Sequence, residues 1–95
     1  MIRIVAAFPL KPEEKDHAMT LFKELIDATR KEKGCNGYDL VETNTDNNLL
    51  VLLEAWENQE ALDSHNATEH FTRLVPQLSA LCKKAPNIST FNQII

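Results

Sequence analysis

The segment Gly37–Trp56, GYDLVETNTDNNLLVLLEAW, decides the fold. Residues Gly37 to Thr43 alternate in the period-two manner of a strand, and NTDNN supplies the turn residues of a hairpin. The returning strand, Leu49 to Trp56, is apolar on both faces. Leu49, Val51, Leu53 and Ala55 share one side, and Leu50, Leu52, Glu54 and Trp56 share the other. A strand of this kind must be covered on both sides. Helices can cover one face; for the other, a second copy of the chain packed sheet to sheet is expected, that is, a homodimer.

Working outward, Met1 to Leu10 reads as a strand with Ile2, Ile4, Ala6 and Phe8 on one face. KPEEK opens a helix, with Pro12 in its first turn and Glu13 and Glu14 at the positive end of the dipole. Ala18, Leu21, Phe22, Leu25, Ala28 and Thr29 follow helical spacing, and Gly34 is expected to cap this helix. Beyond the hairpin, Asn58 or Glu57 can cap a short helix to about Asn66. Thr68 can cap another that presents Phe71, Leu74, Val75, Leu78, Leu81 and Cys82. Pro76 should kink it. A last strand is expected over Ile88 to Ile95. The order β-α-β-β-α-β is that of an α+β, ferredoxin-like split βαβ fold with a four-stranded antiparallel sheet.

Ninety-five residues fit one domain, 1–95. The net charge is −4 and no basic stripe alternates with aromatics, so nucleic acid and anionic membrane are poor partners. The run NLLVLLEAW is too short to cross a bilayer, and MIRIVAAFPL lacks the features of a signal peptide. Cys35 and Cys82 stand alone, which suits a reducing cytoplasm.

The chemistry gathers between Glu54 and Phe71, EAWENQEALDSHNATEHF. Glu54 shares a strand face with Leu50, Leu52 and Trp56, so its carboxylate must be paired, wet or raised in pKa. A structural pair with Arg3 is one reading; an acid or acceptor in a cavity is the other. Tyr38, on the neighbouring strand, could reach the same cavity. His65 falls on the apolar side of its helix, as a core imidazole or a general base. His70 falls in the first turn of the next helix. On one continuous helix these two would diverge by about 140°, and no third ligand stands at suitable spacing, so no metal is expected. His17 is the expected partner of Glu13.

GCNGYDL at Gly34–Leu40, LLEAW at Leu52–Trp56 and ALDSHNATEHF at Ala61–Phe71 together resemble the antibiotic biosynthesis monooxygenase family. The pattern is most similar to its small single-domain bacterial members, among them quinol monooxygenases and isomerase-like enzymes acting on a phosphorylated autoinducer. The resemblance implies a ferredoxin-like dimer whose sheets form a shared α/β-barrel. It implies oxygenation of a quinol or similar electron-rich aromatic without a cofactor. Trp56, His65 and His70 match motif positions as catalytic candidates, with Tyr38 and Glu54 as substrate-binding ones. Leu52 stands where the family's polyketide monooxygenases carry Asn, and the first strand lacks the Asn of its haem-degrading branch. Two alternatives stay open: isomerisation of a small hydroxyketone, and a dimeric ligand-binding or stress-associated module without catalysis.

Overall fold

A computed structural model describes the whole chain, Met1 to Ile95. Its elements are β1 (Ile2–Pro9), a short 3-10 turn (Pro12–Glu14), α1 (Lys15–Thr29), β2 (Cys35–Glu42), β3 (Leu49–Trp56), α2 (Gln59–Asn66), α3 (Glu69–Ala80) and β4 (Asn87–Asn92). The four strands form one antiparallel sheet in the order β2-β3-β1-β4. This is the expected ferredoxin-like arrangement. β3 is central: all eight of its residues pair with β1, from Ile2 opposite Trp56 to Pro9 opposite Leu49.

One face of the sheet carries the helices. Ile4, Ala6, Phe8, Leu50, Leu52 and Trp56 point into it and pack with Phe22 and Leu25 of α1 and with Leu74 and Leu78 of α3. Phe8 and Phe22 meet edge to face, 5.2 Å between centroids. The opposite face carries Val5, Ala7, Val51 and Leu53, each only half-buried, beside the exposed Val41. Register aligns them, with Val5 opposite Leu53 and Ala7 opposite Val51.

Two caps set the corner on which the site depends. Asn58 accepts the N–H of Ala61 through its side chain and starts α2. The Thr68 hydroxyl accepts the N–H of Phe71 at 3.2 Å and donates to the carbonyl of His65 at 2.8 Å. That one hydroxyl ties the end of α2 to the start of α3.

Three expectations differ in detail. α1 ends at Thr29 with Arg30 as its cap, so Gly34 is not the helix cap. Arg30 is drawn away by β2, donating to the Tyr38 carbonyl at 3.0 Å and to Asp39 at 2.9 Å. His17 faces Glu14 rather than Glu13, because Glu13 lies in the 3-10 turn, where helical i,i+4 spacing does not hold. β4 stops at Asn92, opposite Ile2, and the pairing runs out with the Gln93 N–H donating to the Met1 carbonyl at 2.9 Å. α3 runs through Pro76 as a single helix to Ala80.

Gly34 has its own role. Its φ is +85°, and a Cβ built there would lie 2.5 Å from the Cβ of Ala61, so it lets the start of β2 press against α2. We predict that Gly34→Ala lowers stability by about 3 kcal/mol, from left-handed backbone strain and overpacking together. Adding Ala61→Gly should restore the packing part only. Urea unfolding of both variants measures this, and a single-variant loss well under about 1 kcal/mol would contradict the close approach.

Candidate functional site

A cavity of about 390 Å³ lies between the helix-bearing face of the sheet and helices α2 and α3, beside β4. Its walls are mainly apolar, from Ile4, Phe8, Leu52, Leu62, Phe71 and Ile88 among others. Four polar side chains interrupt them: Tyr38, Glu54, Asn66 and Thr90. Concave apolar space with a few convergent polar groups is the usual form of a small-molecule site.

Glu54 is the unusual member. The residue is 6% exposed, and its Oε1 accepts the indole N–H of Trp56 at 3.0 Å. Burial pushes its pKa up to about 6; the Trp56 N–H opposes that shift and the negative charge of Glu32 adds to it. The pairing with Arg3 does not form. Ile4, not Arg3, stands opposite Glu54, so Arg3 projects to the other face and donates instead to the main-chain carbonyl of Glu54 at 3.1 Å. Tyr38 stands directly across the strand pair from Glu54. Burial, with the Glu54 and Glu32 charges, raises its phenol well above the ordinary range, so it is a hydroxyl donor near neutral pH.

Trp56 and His65 are fully buried, their rings 4.4 Å apart and tilted by 33°. Neither lines the cavity, but His65 packs edge-on against Tyr38 and Phe71, which do. Burial holds His65 below the ordinary imidazole range, against the opposing effect of the Glu32 carboxylate. It is therefore a neutral ring. His70 is nearby because the chain breaks after Asn66: the 140° divergence of one continuous helix does not apply across that corner.

The residue that sequence reading missed is Glu32, in the turn between α1 and β2. Its Oε2 lies 2.8 Å from His65 Nδ1 and 2.7 Å from His70 Nε2. Separations of 33 and 38 residues leave no periodic signal, and the basic run RKEK reads only as a helix end. Asn66 was legible in principle, four residues after Leu62 on the same helix face. Thr90 is brought in by its pairing with Ile4.

Glu32, His65 and His70 hold three donor atoms within 4.8 Å of one another, a set of the type that takes transition metals. Donors sharing a tetrahedral ion at about 2.0–2.1 Å stand roughly 3.3 Å apart. The two N···O separations are shorter than that and have the lengths of charge-assisted hydrogen bonds.

The raised pKa of Glu54 has a consequence for stability. Between its ordinary value of 4.5 and about 6, the folded chain keeps the proton that the unfolded chain releases. The contribution of this group to stability is therefore fully present below that interval and is lost as pH rises through it, by about 2 kcal/mol near neutrality. Glu54→Gln, which keeps an acceptor for Trp56, should be more stable than the wild type by roughly that amount near pH 7. The difference should shrink towards zero near pH 4.5. Urea titrations at several pH values test this, and a pH-independent difference would rule out a buried titrating carboxylate.

Comparison with known proteins identifies the family and matches the fold. The family model described as antibiotic biosynthesis monooxygenase matches residues 1–77. The Bacillus subtilis protein YcnE, whose name assigns it provisionally to the monooxygenases, is 35% identical over 79% of this chain and 79% of its own length. The Synechocystis protein sll1783 is 30% identical over 95% of this chain, which spans only 61% of that relative. A crystal structure of an antibiotic biosynthesis monooxygenase superposes with a TM-score of 0.94 at 37% identity, covering all of both chains. A conserved protein from Methanosarcina mazei Go1 superposes with a TM-score of 0.96 at 34% identity, covering 98% of this chain and 92% of its own. The chain belongs to the antibiotic biosynthesis monooxygenase family.

Proposed function

We propose that this protein is a cofactor-independent monooxygenase of a quinol or similar electron-rich aromatic, and that Glu54 takes the proton of the substrate hydroxyl. The observation that carries this reading is a carboxylate on the wall of an apolar cavity, tied to one indole N–H, with a pKa near 6. Such a base is ionised near neutral pH yet strong enough to accept a phenolic proton in the transition state. A deprotonated quinol is a good enough reductant to reduce dioxygen itself. The substrate supplies two electrons and two hydrogens, gains one oxygen atom, and the other oxygen leaves as water. The protein binds the ring, takes the proton and keeps bulk water from the intermediate. Tyr38 and Asn66 offer hydrogen bonds to substrate oxygens, while the Phe71 ring and Leu52 offer apolar contact.

This reading moves the proton acceptor from the imidazoles to Glu54, because Glu54 borders the cavity and neither His65 nor His70 lines it. Oxygen uptake with a panel of quinols tests it. Glu54→Gln should lower kcat/KM by about a hundredfold or more. The wild-type kcat/KM should rise with pH through an inflection near 6 that the variant lacks. Tyr38, Cys35, Glu32, His65 and Arg3 are the other titratable or charged groups around Glu54, and all five are retained in that comparison. Turnover without oxygen, or a variant as fast as the wild type, would sink the proposal.

Two copies are proposed to pack through the outer sheet face, where Val5, Val51 and Leu53 stand half-buried in one copy. A face of this kind, left in water, is an association surface. Light scattering at micromolar concentration should give a dimer, and Leu53→Glu a monomer. A monomeric wild type would remove the idea.

A further inference from the structure

Glu32 reaches from the turn before β2 to both imidazoles, and one oxygen, Oε2, serves both. A carboxylate can only accept, so His65 Nδ1 and His70 Nε2 must each present an N–H to it. His65 is 1% exposed, and its other nitrogen, Nε2, has no hydrogen-bond partner. With the proton on Nδ1, Nε2 carries a lone pair that is left unsatisfied inside the protein. The same ring lies against Trp56, 4.4 Å between centroids, and the Trp56 N–H in turn holds Glu54 at 3.0 Å. A continuous chain of contacts thus runs from Glu32 through His65 and Trp56 to the carboxylate that borders the cavity.

We propose that Glu32 is a positioning residue of the site: it fixes His65 as the Nδ1–H tautomer and, through the His65–Trp56 stack, sets the direction from which the indole N–H holds Glu54. This function rests on the reading of Glu54 as the proton acceptor. The half-buried site of Glu32 favours the role, since its side chain is 13% exposed and that of His70 is 18% exposed. A histidine side chain in water prefers the Nε2–H form, so the tautomer of His65 is a property that Glu32 has to impose. His70 adds a second donor on the same oxygen and anchors that carboxylate from α3.

Nitrogen-15 NMR of the imidazoles reads the tautomer directly, and the single Trp gives one indole N–H signal without assignment ambiguity. The wild type should show His65 with Nδ1 protonated and Nε2 bare. Glu32→Ala should shift His65 towards Nε2–H, move the Trp56 indole signal, and lower kcat for quinol oxidation about ten- to a hundredfold with KM little changed. Glu32→Gln retains an acceptor oxygen and should recover much of the tautomer and of the indole position. It also serves as the measurement if the Ala variant does not fold. A wild-type His65 protonated on Nε2, or a tautomer unmoved in Glu32→Ala, would overturn the proposal. So would stoichiometric Zn²⁺ uptake by the wild type that removes both N–H protons, because the cluster would then be a metal centre. If instead Glu54→Gln leaves oxygen uptake intact while the tautomer follows Glu32, the reading of Glu54 has failed and the positioning of His65 stands.

Discussion

A carboxylate with a single hydrogen-bond donor, buried on the core face of the central strand, is the constraint around which this structure is arranged. Removing an ionised carboxylate from water costs several kcal/mol in a protein interior. One hydrogen bond to a charged group returns about 1.5–3 kcal/mol. The remainder appears as the raised pKa of Glu54, not as a broken fold. The rest of the strand can bear that load. β3 pairs along its whole length with β1 and carries Leu50, Leu52 and Trp56 into the core beside the acid. The cavity lies where a fully packed ferredoxin-like core would place apolar side chains. Cohesion is given up at that point, and it is recovered around Phe22, Leu25, Leu74 and Leu78, all fully buried between the helices and the sheet.

The second determinant is a corner. α2 and α3 are separated by Ala67 and Thr68, and the Thr68 hydroxyl bonds both sides of the break. Without that corner, His65 and His70 would lie on different faces of one helix. With it, both reach the oxygen of Glu32. The close approach of Gly34 to Ala61 brings the turn that carries Glu32 against α2 from the other side. Backbone features with no chemistry of their own, a cap and a glycine, therefore determine which polar side chains meet. Surface ion pairs contribute far less to this. Arg73 joins Glu24 and Glu69 in the open, where such pairs are worth little.

How far the sequence foretells this depends on the range of the interaction. The bounds of β3 and the caps Asn58 and Thr68 follow from local pattern, because a two-sided apolar run and a capping side chain are decided within a few residues. The face shared by Glu54 and Trp56 follows from the strand period alone. The Glu54–Trp56 hydrogen bond is consistent with that face but needs a rotamer that no pattern specifies. Arg3 was a reasonable partner for Glu54 until the register was fixed; a one-residue offset puts it on the other side of the sheet. Glu32 lay beyond reach because its partners are distant in sequence and its own neighbours are basic. Periodicity finds faces, and it does not find meetings between a turn and two helices.

The same network bears on why imidazoles stand between two acids. Glu54 and Glu32 both lie near Trp56 and His65, and the charge of Glu32 raises the pKa of Glu54. An unshielded second carboxylate at that distance would push Glu54 further towards the neutral acid, which cannot accept a proton. Two N–H donors on one oxygen of Glu32 oppose part of its field, and the neutral ring of His65 fills the intervening space without adding charge. The pKa of Glu54 stays near 6, raised chiefly by burial and held back by the Trp56 N–H. The two imidazoles thus surround the Glu32 carboxylate with donors, and the charge of Glu32 that reaches Glu54 is a smaller effect than the burial of Glu54 itself.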